Sequence, residues 1–240
     1  MNKIRWNVIF VVFTFFACVG VICYAAVKID TAISVDNVVN EQDSFVVTLD
    51  AGHGGIDGGC STADGQTEKV INLNIMLSVR DMSRLFGYNV DVTRDKDTSI
   101  HDKGVTGIRN QKLSDMENRL AIFNRHSNAV CISIHQNTYR DPQFSGAQMF
   151  YSDKNPASEE LASIMQRKFV ENLQPYNQRE TKLCGKELYL CYFCENPSVM
   201  IECGFLSNPE EAAKLTDEKY QQSVAFTVFS GINEFAKSKA

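Results

Sequence analysis

The order strand, glycine-rich loop, helix, strand is the feature that most constrains this fold. An apolar and β-branched run, Phe45–Leu49, predicts a buried strand that ends at Asp50 and gives way to a glycine-rich loop. From Glu68 the apolar residues recur at helical spacing, and Gly87 is a typical residue just past a helix end. Tyr88–Thr93 then alternates as a second strand would. Together they predict a βαβ unit with a parallel pair of strands and a right-handed crossover.

The remainder of the chain continues this alternation. One face of the first helix is expected to carry Ile71, Ile75, Val79, Met82 and Phe86. Further strands are predicted at Ala129–Ile134, Gln148–Tyr151, Glu187–Leu190 and Ser198–Ile201. Further helices are predicted at Arg119–Arg125, Leu161–Leu173, from Asn208 onward, and at Val224–Phe235. Asp95–Asn118 is expected to be a long polar loop. The predicted fold is a single α/β domain over residues 44–238, with a mixed, mostly parallel twisted sheet of about six strands flanked by helices.

The N-terminus predicts a membrane anchor. Two basic residues precede an uncharged, mostly apolar run of 22 residues, Trp6–Val27, and a bilayer span needs roughly 20. Residues 1–28 are therefore expected to be a signal-anchor or transmembrane segment, followed by a polar linker over residues 29–43. The positive charge predicts that the N-terminus stays in the cytoplasm and that the domain is exported. Cleavage after the small residues of Tyr24–Ala26 is the alternative.

Charge excludes one class of partner. Three of the 24 basic residues and none of the 29 acidic residues lie in residues 1–28, so the remainder carries a net charge of −8. Nucleic-acid binding needs a basic face, and this balance argues against it.

Six of the eight cysteines lie outside the apolar N-terminal run: Cys60, Cys131, Cys184, Cys191, Cys194 and Cys203. In an exported domain one or two disulfides can be expected among them, with the pairing left open. Cys191 and Cys194 have the spacing of a redox or zinc pair, but lie between two predicted strands rather than at a helix N-terminus. Cys131 is expected to be a buried small hydrophobe in its strand.

A set of metal-competent side chains falls at one edge of the predicted sheet. His53, His135 and Glu202 follow the ends of three strands, and Glu68 begins the first helix. Two histidines, a glutamate and an open fourth position form a common catalytic zinc set. A zinc ion would lower the pKa of its bound water to roughly 7, while another carboxylate takes the proton. From the residues alone, a structural role for each of them remains open.

Four blocks of the sequence carry a family resemblance: Leu49–Gly55, Glu68–Asn74, Ser133–Asn137 and Ile201–Asn208. In this order, over about residues 45–237, they resemble the zinc-dependent N-acetylmuramoyl-L-alanine amidases of bacterial cell walls. The resemblance implies that His53, Glu68 and His135 bind one Zn²⁺ and that Glu202 is the catalytic base. The proline usual in the first block is Ala51 here.

Two further blocks, Gln111–Arg119 and Ser145–Tyr151, are similar to the membrane-anchored spore-cortex (germination-specific) amidases of endospore formers. This resemblance implies hydrolysis of the amide between N-acetylmuramic acid and L-alanine in peptidoglycan, the step before muramic-lactam formation. It also implies a catalytic domain on the cell-wall side of a membrane, or in the intermembrane space of a forespore. An accessory protein, or a cortex deacetylase in the same pathway, is the expected partner.

Several residues have two interpretations. Asn137, two positions after His135, could contact the substrate or close a turn at the strand end. Arg94 and Arg119 could bind a substrate carboxylate or form structural pairs. His101 and His126 lie outside every block and are expected to be ordinary surface residues.

Three other functions stay open. The first is a catalytically silent peptidoglycan-binding domain, which the presence of all four site residues disfavours. The second is a general cell-wall autolysin rather than a spore enzyme. The third is a thiol oxidoreductase that uses Cys191 and Cys194.

Overall fold

The computed structural model describes residues 46–239. The predicted anchor over residues 1–28 and the linker over residues 29–43 lie outside this part. Within residues 46–239, no helix is long and apolar enough to cross a membrane.

Among residues 46–239, six strands form one sheet: β1 (Val46–Ala51), β2 (Val90–Val92), β3 (Ala129–Asn137), β4 (Gln148–Tyr151), β5 (Lys182–Leu183) and β6 (Ser198–Phe205). Their order across the sheet is β2-β1-β3-β6-β4-β5. The first four of these are mutually parallel, whereas β4 is antiparallel to β6 and parallel to β5. The mixed, mostly parallel sheet predicted from the sequence is therefore confirmed, including the parallel pair of β1 and β2.

In the part of the chain that the structure describes, six helices flank the sheet: α1 (Glu68–Leu85), α2 (Ile108–Phe123), α3 (Ala157–Asn172), α4 (Tyr189–Phe193), α5 (Pro209–Leu215) and α6 (Glu218–Lys239). Side chains alternate between the two faces of a strand, so each strand contributes residues to the packing on both faces of the sheet. Val47 and Val130 belong to the large core under α1, α3 and α6. Cys131 belongs to a small cluster on the other face, with Phe123 of α2 and Leu190 of α4.

Most of the predicted helices are confirmed. On α1 the residues Ile71, Ile75 and Val79 are buried, although Phe86 follows the helix and is 64% exposed. The proposed start of α5 is also correct, since the Asn208 side chain accepts hydrogen bonds from the first-turn amides.

Two predictions of local structure are wrong, and one strand was not predicted. The C-terminal part of the expected loop Asp95–Asn118, from Ile108, belongs to the helix α2, whose buried residues include Ser114 and Arg119, so its inner face shows no apolar period. The expected strand Glu187–Leu190 overlaps the short helix α4, because a short apolar run does not distinguish the two structures. The sheet reaches six strands through the unpredicted pair Lys182–Leu183 instead.

Candidate active site

Three adjacent parallel strands bring the predicted site residues together. His135 of β3 lies directly opposite Glu202 of β6, and the loop after β1 carries His53. Both strands extend beyond the ends predicted from the sequence, to Asn137 and Phe205, so His135 and Glu202 lie within strands rather than after them. These side chains therefore meet at the edge of the sheet formed by the carboxyl ends of the parallel strands, as predicted from the sequence.

Glu68 joins the two histidines. Its Oε1 lies 3.2 Å from His53 Nε2 and 3.0 Å from His135 Nδ1. The ligand atoms of these three residues all lie within 4.8 Å of one another, and the two imidazole rings meet edge to face with centroids 5.0 Å apart. Among the described residues this is the one such group that could hold a metal ion.

Electrostatics at this group fit a cation. Glu68 is buried, which opposes its charge, yet its bonds to His135 and His53 hold the pKa of its carboxyl well below the ordinary value. Burial alone would lower the pKa of His53, but Glu68 and Asp57 raise it to about 9. The carboxylates of Glu68 and Asp57 therefore favour positive charge at this group. Two imidazole nitrogens and a carboxylate oxygen are a ligand set that Zn²⁺ accepts with a position left open.

Further hydrogen bonds fix the orientation of the donors. His53 Nδ1 lies 3.0 Å from Asp57 Oδ2, which leaves Nε2 directed at Glu68. Glu68 Oε2 accepts from the Cys60 amide at 2.9 Å, and Glu68 Oε1 accepts from the Gln136 amide at 3.0 Å. Partners of this kind orient metal ligands and set the histidine tautomer.

Two glycines make room for the site. A Cβ atom at Gly52 would overlap the imidazole ring of His135. At Gly59 the backbone has a φ of 68°, and a Cβ atom there would lie 2.5 Å from Glu68 Oε2. The glycine-rich loop can therefore approach the donors only without side chains at these positions.

Arg119 positions the loop that bears His53. His53 has a φ of 65° and is the one non-glycine residue with a positive φ among residues 46–239. Arg119, 1% exposed, donates to the His53 carbonyl at 2.7 Å and the Ala51 carbonyl at 2.9 Å. The same guanidinium lies 2.5 Å from Asp50 Oδ1 and 2.7 Å from Asp115 Oδ2. Of the two interpretations of Arg119, a substrate contact or structural pairing, the structure therefore shows structural pairing.

Arg94 is a second structural arginine in this region. Its buried guanidinium donates to the carbonyls of Ala51 at 2.9 Å, Gly52 at 3.1 Å and Lys69 at 2.8 Å. It therefore ties the loop after β1 to the beginning of α1, which is the structural alternative expected for it.

A cleft of about 290 Å³ opens above the donors. Its lining includes His53, His135 and Glu202 together with Met116, Tyr189, Leu190 and Met200. The Oε2 atom of Glu202 is buried and has no hydrogen-bond partner among the described residues. Burial raises the pKa of Glu202 to about 7. A carboxyl group with that pKa can accept and return a proton near neutral pH.

The other sequence candidates lie outside this arrangement. Asn137 ends β3, its Oδ1 accepts from the Thr138 amide at 2.8 Å, and it is absent from the described cleft lining. His101 and His126 bond to Ser99 and Asp91 instead, and the described lining includes neither histidine. The substrate contact of Asn137 stays a prediction.

The cysteine pair does not form a helix N-terminal redox site. Cys191 lies inside α4 and Cys194 directly after it, and both are buried. The described cleft lining includes neither. A thiol oxidoreductase would need a reactive thiol at a helix N-terminus, so this geometry disfavours it.

Sequence reasoning missed the carboxylates that support the site. Asp57 bonds to His53, and Asp50 and Asp115 hold Arg119. Asp57 follows His53 by four residues in the same loop, so that spacing was an available signal. Asp115 lies in the part of α2 that was expected to be a loop, so its helical spacing of four residues from Arg119 was not used as a signal.

The chain is similar in sequence to known proteins. Residues 47–234 match the family model described as N-acetylmuramoyl-L-alanine amidase. The chain is 34% identical over 194 residues to the germination-specific N-acetylmuramoyl-L-alanine amidase of Bacillus subtilis, with 81% of each chain covered.

Solved structures give the same result. The fold matches that of the CwlD amidase from Clostridioides difficile, solved in complex with the GerS lipoprotein, with a TM-score of 0.78 and 35% identity over 81% of this chain and 100% of that one. An N-acetylmuramoyl-L-alanine amidase from Clostridium difficile 630 matches with a TM-score of 0.70 and 28% identity over 82% and 100% of the two chains. The chain described here belongs to the N-acetylmuramoyl-L-alanine amidase family.

Proposed function

We propose that this protein is a zinc-dependent amidase that hydrolyses the bond between N-acetylmuramic acid and L-alanine in peptidoglycan. His53, Glu68 and His135 would hold one Zn²⁺, and Glu202 would be the catalytic base. The observation that carries the proposal is the convergence of three donors within 4.8 Å, in a cleft that also contains the unpartnered carboxylate of Glu202.

The residues of the chain suggest how the reaction proceeds. Bound zinc would polarise the scissile carbonyl and lower the pKa of a water molecule. Glu202 takes the proton of the attacking water, because its Oε2 has no competing partner among the described residues. It then returns that proton to the departing L-alanine nitrogen. Asp57 keeps His53 in its orientation throughout, and the apolar walls from Met116, Leu190 and Met200 limit the access of bulk water.

The comparisons support a spore-specific substrate. The relative from Bacillus subtilis is named germination-specific, and the blocks at Gln111–Arg119 and Ser145–Tyr151 resemble that branch. The substrate would then be cortex peptidoglycan, and the product would be the peptide-free muramic acid from which muramic lactam is made. A general autolysin is the alternative within the same chemistry.

The location and the partner are part of the same proposal. Residues 1–28 would anchor the protein in a membrane, residues 29–43 would be the linker, and residues 44–238 would form the catalytic domain outside the cytoplasm. The complex of CwlD with the GerS lipoprotein supports an accessory protein as a partner of this chain as well. A cortex deacetylase would act in the same pathway.

Metal analysis of matched histidine variants tests the proposed zinc site. The full chain is purified in detergent, dialysed against excess zinc and then against metal-free buffer, and its zinc content is measured. Wild type and His126→Ala should retain one zinc ion per chain, whereas His135→Ala should lose it, because His126 bonds to Asp91 and not to the site. Equal zinc content in the two variants would contradict the assignment.

A further inference from the structure

Two pairs of cysteines lie at the short helix α4: one pair includes Cys191 of the helix, and the other includes Cys194 directly after it. In the first pair, Cys131 of β3 and Cys194 belong to the same small buried cluster. Cys131 Sγ donates to the Phe123 carbonyl at 3.4 Å, and the Asn196 side chain donates to the same oxygen at 2.9 Å. Cys194 Sγ donates to the Asn196 carbonyl at 3.5 Å, so both thiols bond where Phe123 meets Asn196. Besides burial, Cys194 also contributes to the raised pKa of Cys131.

The second pair is held by two successive carbonyls of β4. Cys184, directly after β5, donates its amide to the Tyr151 carbonyl at 2.8 Å. Cys191 of α4 donates its thiol to the Phe150 carbonyl at 3.5 Å. These two thiols also influence each other, since their interaction lowers the pKa of Cys184 and raises that of Cys191.

We propose that the protein carries two disulfide bonds, Cys131–Cys194 and Cys184–Cys191. Among the described residues, the main influences on the thiol pKa values of Cys60 and Cys203 are burial and nearby carboxylates and include no other cysteine, so we expect both to stay reduced. The compartment depends on the proposed export of the domain, since disulfides persist in oxidising surroundings outside the cytoplasm. The pairing itself depends on neither zinc nor the amidase reaction.

Each bond can form by thiol–disulfide exchange with an oxidised dithiol catalyst or a small-molecule disulfide. One cysteine thiolate attacks the disulfide of the oxidant, which releases one thiol and gives a mixed disulfide. The second cysteine thiolate attacks the protein sulfur of that mixed disulfide, forms the new bond and releases the second thiol. The protein loses two protons and two electrons for each bond, and the oxidant is reduced to two thiols.

An oxidant is expected to react first at the second pair of cysteines. Cys184 is half-buried, whereas its partner Cys191 is buried. The interaction with Cys191 lowers the pKa of Cys184, which increases the fraction present as thiolate. An accessible thiol with a lowered pKa is the one that attacks first.

The two bonds would hold one wall of the cleft. Both pairs lie at α4, and it supplies Tyr189 and Leu190 to the cleft lining. One bond ties the helix to the segment after β5, and the other ties the residue after it to the central strand β3. The position of this wall would then depend on oxidation.

Peptide mapping tests the proposal. The full chain in detergent is oxidised with oxidised glutathione, alkylated under denaturing conditions without reductant and digested, and the cross-linked peptides are identified by mass spectrometry. We expect peptides joined through Cys131–Cys194 and through Cys184–Cys191, with Cys60 and Cys203 alkylated. The midpoint of urea unfolding should be higher for the oxidised chain, and reductant should abolish the shift.

Matched variants make the result specific. Cys131→Ser should abolish the first cross-link and part of the urea shift, and it should leave the second cross-link in place. Cys203→Ser, which also changes a buried cysteine, should retain both cross-links. Alkylation of all six cysteines after oxidation, or any other pairing, would overturn the proposal. A zinc ion that protects the four thiols from alkylation, and that is lost in Cys131→Ser, would overturn it as well.

Discussion

At the scale of the residue, Gly52 and Glu202 show how little space the site leaves. Gly52 passes directly beside the His135 ring, and Glu202 keeps an unpartnered oxygen in the same cleft. The identities of the donors could be predicted from the sequence because they follow strands that a parallel sheet aligns. The contact between Gly52 and His135 could not be predicted, because the two residues are more than eighty positions apart in the chain.

We expect Gly52→Ala to abolish zinc binding while the chain still folds. The new methyl group would push His135 away from Glu68, so one donor would be lost. Zinc content and circular dichroism, measured on the same sample, check this prediction. Gly58→Ala is the matched control in the same loop, because a Cβ atom there would make only an ordinary contact, 3.6 Å from a methyl group of Thr67. Zinc retained by Gly52→Ala would refute it.

At the scale of the element, α2 shows where sequence patterns lose their value. In place of an apolar stripe, the helix buries Arg119, which bonds to β1, and Ser114, which bonds to Asp102. Periodicity predicts a helix only when its buried face is apolar, so α1 and α6 were predictable, whereas only the end of α2, from Arg119, was predicted. The helix α4 was missed for a different reason, since five residues are too few to show a period.

Arg119→Met should reduce the free energy of unfolding by about 3–5 kcal/mol, the usual cost of removing one partner of a buried ion pair. The substitution leaves the carboxylates of Asp50 and Asp115 without their cation and the His53 carbonyl without its donor. Urea unfolding measures the change. Arg125→Met is the control, because its bond to Asp91 is exposed and should contribute about 0–1 kcal/mol. Equal effects of the two substitutions would refute this role.

The same ion pair predicts a dependence of stability on pH. Burial alone would raise the pKa of Asp50, but Arg119, with Ser133 and Thr93, holds it below the ordinary value of 3.8. As the pH falls, the unfolded chain therefore binds this proton first, and the stability contributed by Asp50 is lost below about pH 4. Urea unfolding of metal-free protein at several pH values should show a shallower loss for Asp50→Asn than for wild type. Parallel curves would contradict this.

At the scale of the whole molecule, strand order explains why distant residues share one site. His53, His135 and Glu202 follow or lie in β1, β3 and β6, which are adjacent and parallel although they are far apart in sequence. Such a sheet places its carboxyl ends together, which is the usual location of ligands in open α/β folds. The overall class was therefore predictable, whereas the position of β4 and β5 at the sheet edge depends on tertiary pairing alone.

We expect the full-length protein to behave as an integral membrane protein, because the uncharged run Trp6–Val27 is long enough to span a bilayer. After expression in a Gram-positive host, detergent should release it from the membrane fraction, and high salt should not. Protease added to intact protoplasts should digest the domain. A shorter protein in the medium, beginning just after Ala26, would show instead that the segment is a cleaved signal.

The central claim is that Glu202 is the base of a zinc amidase, and a comparison of two glutamate variants tests it most directly. The zinc-loaded full chain is incubated with cortex peptidoglycan, and released peptides are identified by mass spectrometry. Wild type should release peptides that begin with L-alanine, and Glu202→Gln should retain zinc but lose about 10²–10⁴-fold in rate. Glu187→Gln changes an exposed carboxylate of the same cleft and should remain close to wild type. Equal rates for Glu202→Gln and wild type would contradict the account.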